Sequence, residues 1–143
     1  MSPKRILIVE DDSDTRLAYH IFLKVKQYET FFAEDPLSCL WEAHKNRPEL
    51  ILMDIGLTAG DGFRAMAQLK AATHLASIPV IVVSGGNAQT LEPRALQSGA
   101  KAYLEKPVDQ TKLLALISKL IGKSGGEPNQ TDGSDRRLAQ ANT

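Results

Sequence analysis

Along this chain, short runs that are apolar at every position alternate with longer stretches whose apolar residues recur every three or four places. Residues 6–9 (Ile6, Leu7, Ile8, Val9), 50–53 (Leu50, Ile51, Leu52, Met53) and 79–83, with the β-branched Val80, Ile81, Val82 and Val83, are of the first kind. Such runs predict strands covered on both faces. Residues 29–33 and 102–104 add two shorter strands. Between them lie helical patterns. The first carries Leu17, Ala18, Ile21, Phe22 and Val25 as its expected core face, with Ser13 or Asp14 as its cap. Asp35 followed by Pro36 opens a second helix to about residue 45. Asp61 and Gly62 start a third through Ala65, Met66, Leu69 and Ala72, and residues 109–121 form a fifth with Leu113, Leu114, Leu116, Ile117 and Leu120. The fourth is expected to be short, over about 91–97, because Pro93 lacks an N–H and fits only a first helical turn.

Five strand–helix units in a row imply an α/β fold with a five-stranded parallel sheet, doubly wound by helices on both faces. Ligands in such sheets bind beyond the carboxyl ends of the strands, where the strand order reverses. The polar residues that stop the apolar runs therefore matter most. Strand one runs into Glu10, Asp11 and Asp12, and strand three into Asp54. Strands one and three should thus flank the reversal, which gives the order 2-1-3-4-5. Strand four ends at Ser84 before Gly85 and Gly86, and strand five at Glu105, Lys106 and Pro107. Carboxylates held together disfavour each other's ionisation. A Mg²⁺ ion, bound by one or two carboxylates with water and phosphate, removes that cost. An aspartate can attack phosphorus to form an acyl phosphate, provided that cations screen the incoming oxygens. Asp11 and Asp54 with Mg²⁺, the Lys106 ammonium and the Ser84 hydroxyl supply such a set.

Composition narrows the alternatives. The chain has 143 residues, 43% hydrophobic, enough for one domain and its core. Lys and Arg number 17 against 17 Asp and Glu; with no basic stripe, a nucleic-acid partner is not expected. The lone Cys39 excludes an internal disulfide and reads as a buried structural thiol. No apolar stretch approaches a membrane span of roughly 20 residues, and too few apolar residues follow Lys4 and Arg5 for a signal-peptide core. A cytoplasmic protein without membrane contact is expected. His20, His44 and His74 show no metal-ligand spacing and read as surface or boundary residues, and Trp41 as a packing residue. From residue 122 the sequence turns polar and Gly-rich, so residues 122–143 are expected to be a disordered tail behind a folded domain at 4–121.

The ordered set Glu10, Asp11, Asp54, Asp61-Gly62, Ser84, Gly99-Ala100, Tyr103 and Lys106-Pro107, with intervals 54 − 11 = 43, 84 − 54 = 30 and 106 − 54 = 52, resembles the receiver domains of two-component response regulators, and the single-domain chemotaxis kind in particular. The resemblance implies a flavodoxin-like receiver fold. It makes Asp54 the phosphoacceptor. Asp11, Asp54 and the backbone carbonyl of Gly56 would ligate Mg²⁺, with Glu10 acting through water. Ser84 would be the switch hydroxyl, Lys106 the phosphate-binding lysine before a cis Pro107, and Tyr103 an aromatic that swings in from solvent. Asp12 falls one past the acidic pair and reads as a loop or helix-cap residue. The chain departs from the family pattern at Thr58, where a Pro is usual, and around Pro93. A phosphorylation switch follows, fed by a histidine kinase or histidine phosphotransfer protein and read by a downstream protein partner. It would not be an enzyme beyond catalysing its own phosphorylation and dephosphorylation. A phosphorylation-silent interaction module is the alternative. An aspartate-nucleophile phosphohydrolase would carry a second Asp two residues after the nucleophile, where this chain has Gly56.

Overall fold

Aliphatic and β-branched side chains in unbroken runs favour extended chain, and a strand so built needs cover on both sides. The helical patterns between the runs provide it. The computed structural model describes residues 2–55 and 59–124. In chain order the elements are β1 (Arg5–Val9), α1 (Ser13–Val25), β2 (Glu29–Ala33), α2 (Pro36–Asn46), β3 (Leu50–Ile55), α3 (Ala59–Ala71), β4 (Val80–Ser84), α4 (Ala88–Gln97), β5 (Ala102–Glu105) and α5 (Gln110–Ile121). The strands are all parallel and ordered β2-β1-β3-β4-β5, as the placement of the acids predicts.

Successive strand residues point to opposite faces, and the core divides accordingly. Ile6, Ile8, Leu50, Leu52, Ile81 and Val83 pack under α1 and α5 with Leu23, Leu113 and Ile117. Leu7, Val9, Ile51, Met53, Val80 and Val82 pack under α2, α3 and α4 with Cys39, Met66 and Ala95. Burial pushes the Cys39 thiol up to about 12, as befits an inert packing residue. Each fully buried aliphatic side chain contributes about 1.5–3 kcal/mol.

Helix starts are fixed by side-chain acceptors. Asp35 accepts from Ser38 N at 2.8 Å and Ser38 Oγ accepts from Asp35 N at 3.1 Å, a reciprocal cap ahead of Pro36. Asp109 accepts from Lys112 N in α5. The α1 cap is Asp12, which accepts from both the amide and the hydroxyl of Thr15 at 2.9 and 2.7 Å, and not Ser13 or Asp14.

Four further expectations are corrected. The inward face of α1 is Tyr19, Phe22 and Leu23, while Leu17, Ile21 and Val25 are 53%, 56% and 72% exposed. The helix carries two apolar stripes, and the one with Tyr19 faces in, its hydroxyl donating to Asp54. α4 begins at Ala88, capped by Asn87, and continues through Pro93. The carbonyl that loses its donor belongs to exposed Gln89, a position open to solvent. Trp41 is 61% exposed and not part of the core. The domain also runs past Ile121: Ser124 is buried, its Oγ accepting from Lys4 N at 2.6 Å and donating to Gln27 O at 2.7 Å. The disorder expected further on concerns residues 125–143, which lie outside the described residues. Among the described residues no helix is long and apolar enough to cross a membrane.

Candidate functional site

β3 extends two residues beyond its apolar run, so Asp54 sits inside the strand, paired with Val83, and not past its end. Its side chain follows Leu50 and Leu52 on the α1/α5 face and is fully buried. The same two-residue step leads from Ile6 and Ile8 to Glu10 just after β1, and from Ala102 and Leu104 to Lys106 after β5. Because Val9 pairs with Met53 and Ser84 with Ile55 and Glu105, parallel register carries all of these residues to one edge.

Lys106 Nζ lies 2.8 Å from Asp54 Oδ1, but no donor is aligned on that buried oxygen as a hydrogen bond. The two groups form an ion pair. Oδ2 is different, since it accepts a hydrogen bond from the Tyr19 hydroxyl at 2.8 Å. Burial acts to lower the Lys106 pKa, but the contact with Asp54 and the charges of Asp54, Glu10 and Asp11 outweigh it and hold the ammonium above its usual range. Glu10 is 6% exposed and accepts from Asp12 N at 2.8 Å. Burial pushes its carboxyl up to about 7; the Asp12 amide pulls it down, and the neighbouring Asp11 and Asp54 carboxyls push it further up. Arg16 Nη1 donates to the Glu10 carbonyl at 2.9 Å and reaches Glu34 at 3.8 Å. Asp11 is exposed, at the mouth of a cleft of about 60 Å³ that Glu10, Asp54 and Asp61 also line.

Ser84 is buried, and its Oγ accepts from Gly86 N at 2.9 Å. A Cβ on Gly86 would lie 2.6 Å from the tip of Leu91 and 3.3 Å from Ser84 Oγ, so a side chain here would have to push Leu91 aside. The Lys106–Pro107 peptide is cis. Tyr103 packs against the core under α4 with its hydroxyl buried and unpartnered; the expected solvent-facing start is corrected to an inward one. Gly56 and Thr58 lie outside the described residues.

The site thus brings together Glu10, Asp11, Asp54 and Lys106, with Ser84 one strand away. The sequence reading missed Tyr19, whose only signal was its position four residues before Leu23 on the inward face. It also missed the pairing of exposed His44 and His74 at 2.9 Å, although both are surface residues as expected. His20 lies at the boundary, against Thr30.

The donor set fits a small, hard cation. Glu10, Asp11 and Asp54 line one cleft, and burial first, then the neighbouring carboxyls, push the Glu10 carboxyl up. Among the described residues no three metal-binding side chains form a closed cage, and a cation that retains its waters requires none.

Known proteins resemble this chain in sequence and in fold. The polar-differentiation response regulator DivK of Brucella anthropi is 33% identical over 120 residues, covering 84% of this chain and 98% of DivK. The transcriptional regulatory protein PrrA of Mycobacterium bovis is 31% identical over 121 residues, 85% of this chain but 51% of PrrA. Among solved structures, the receiver domain of the sensor histidine kinase PA1611 from Pseudomonas aeruginosa, described with magnesium coordinated in its active site cleft, superposes with a TM-score of 0.74 at 27% identity over 84% of this chain and 98% of that one. The Vibrio cholerae chemotaxis protein CheY4, at 21% identity over 82% of this chain and 98% of that one, shares the fold with a TM-score of 0.75. The family model of the response regulator receiver domain matches residues 6–118. Sheet order, acidic edge and sequence agree, and the chain belongs to the response regulator receiver domains of two-component signalling.

Proposed function

We propose that this receiver domain is a phosphorylation switch in which Asp54 accepts a phosphoryl group. The observation that carries the reading is Asp54 Oδ1, buried, beside the Lys106 ammonium and with no aligned hydrogen-bond donor. The cation beside that oxygen screens the charge of the incoming group. Asp11, Asp54 and the Gly56 carbonyl would hold Mg²⁺, with Glu10 acting through water. When bound, the metal neutralises charge on the phosphoryl oxygens. The magnesium described for the related PA1611 receiver supports this assignment.

Asp54 Oδ1 attacks phosphorus, and the donor, a phosphohistidine of a kinase or phosphotransfer protein, departs with the bonding pair. Lys106 then turns from the carboxylate to a phosphoryl oxygen. Ser84 Oγ, now an acceptor for Gly86 N, donates its proton to another. The chain acts on itself and is not a turnover enzyme. The loop between Ser84 and Ala88 moves with the hydroxyl, so α4 and β5 form the face read by a protein partner. A cytoplasmic location, with neither nucleic acid nor membrane as a partner, belongs to the same reading.

Acetyl phosphate with Mg²⁺, followed by intact mass, tests it. The wild-type chain gains one phosphoryl group that hydroxylamine removes, and Asp54→Asn gains almost none. Equal labelling of the variant rejects Asp54 as the acceptor.

A further inference from the structure

Tyr19 lies on α1, 35 residues from Asp54 in sequence, and is 8% exposed. Its ring fills core space beside Phe22 and Leu23, but packing does not require the hydroxyl, since a phenylalanine ring has the same shape. What the hydroxyl adds is one hydrogen bond, donated to Asp54 Oδ2 at 2.8 Å. The other oxygen, Oδ1, faces Lys106 and has no aligned donor. The two oxygens are therefore inequivalent before any chemistry takes place.

We propose that Tyr19 is the leaving-group donor of the dephosphorylation step, and that its hydroxyl shortens the life of the aspartyl phosphate. This rests on the reading of Asp54 as the phosphoacceptor. Phosphorus bonded to Oδ1 lies on the Lys106 side, which leaves Oδ2 as the carbonyl oxygen of the mixed anhydride. In hydrolysis a water oxygen bonds to phosphorus and the P–Oδ1 bond breaks. Its electron pair returns to Asp54 as carboxylate, and the water's protons leave on dihydrogen phosphate. The returning charge is shared by both oxygens, so half of it gathers on Oδ2 in front of the Tyr19 O–H. A hydrogen bond to a carboxylate is about twice as strong as one to a neutral carbonyl. Tyr19 therefore stabilises the transition state and product more than the phosphorylated ground state, which is the condition for acceleration.

Tyr19→Phe removes the donor and keeps the ring. The purified chain is phosphorylated with acetyl phosphate and Mg²⁺, the small molecules are removed, and decay is followed by intact mass at constant Mg²⁺. The variant should hold its phosphoryl group roughly fivefold longer, with a labelling rate no slower than wild type. A second replacement, 2,3-difluorotyrosine at position 19, supplies a more acidic and stronger donor and should shorten the lifetime below that of wild type. Loosened packing would not produce the order Phe, Tyr, difluorotyrosine from slowest to fastest. Equal lifetimes for Tyr19→Phe and wild type overturn the inference. So does a variant slowed equally in labelling and decay, because the hydroxyl would then hold geometry and not the leaving group. If the wild-type chain takes no phosphoryl mass at all, the Asp54 reading beneath the inference fails, which is a distinguishable result.

Discussion

At the scale of single residues, the site is a balance between charges that repel and cations that relieve them, and Glu10 reports that balance. Its carboxyl titrates near 4.5 when unfolded and about 7 when folded. Between those values the folded state binds more protons than the unfolded one, so this contribution to stability is complete below about 4.5 and is lost as pH rises through about 7. In EDTA, Tm should therefore fall across this window, and Glu10→Gln should flatten the slope. A Tm profile that is as steep in the variant assigns the effect to other groups. Asp11→Asn should raise Tm in EDTA, because it removes one charge from the cluster, and should weaken the response to added Mg²⁺; a thermal melt with and without the metal reads both. Asp11, Asp54 and Lys106 were legible as neighbours because each polar residue that stops an apolar run falls near the carboxyl edge of a parallel sheet, although Asp54 itself lies within β3. Tyr19 was not, because a tyrosine within an apolar helical pattern looks like packing until the strand that offers it an acceptor is in place.

Among the elements, the strands are legible to within a residue or two, and the discrepancies carry meaning. β3 runs on to Ile55 because the backbone of Asp54 keeps its ladder with β4 although its side chain is charged. Composition alone does not reveal that a carboxylate belongs to a strand. The face of α1 was misread because Leu17, Ile21 and Val25 form as regular a stripe as the true one, and periodicity does not rank two stripes. α4 was read as too short because the rule against proline ignores that the carbonyl freed at Gln89 is exposed. Asn87 starts that helix with its side chain on Gln89 N at 3.0 Å, so Asn87→Ala should cost about 1 kcal/mol, measurable by urea denaturation. The neighbouring Ser84 loop is where phosphorylation would pass into α4. Beryllium fluoride with Mg²⁺ should alter hydrogen exchange most, away from the site itself, in residues 87–97 and near Tyr103. Ser84→Ala should shrink those changes and leave Mg²⁺ binding intact. Changes concentrated instead in α1 would place the output on the opposite face. Since Tyr103 is already turned inward, its own exchange should change less than that of α4.

For the whole molecule, Mg²⁺ binding should act as a stability switch. At about tenfold excess over its dissociation constant, the ion contributes about 1.4 kcal/mol by mass action, a rise of roughly 5 °C in Tm. Asp54→Asn should reduce that shift. The lower edge of the sheet, away from the acids, is closed differently. The Tyr28 hydroxyl donates to Gly122 O at 3.1 Å, and Ser124 bridges Lys4 and Gln27. Truncation after Ser124 should leave Tm unchanged, whereas truncation after Ile121 removes these bonds and should lower stability by about 1–2 kcal/mol; melts of the two truncations separate the cases. That bridge also brings Lys4 and Ser124 into contact, so the beginning and end of the described fold meet at one point, about 17 Å along β1 from the acidic edge. The domain is in effect a closed ring of chain with an arbitrary cut. A circular permutant that joins the two ends through a short linker and opens between α3 and β4 would keep every strand and the whole crevice. Any reporter inserted at the old junction would sit at the far end from the chemistry it is meant to sense.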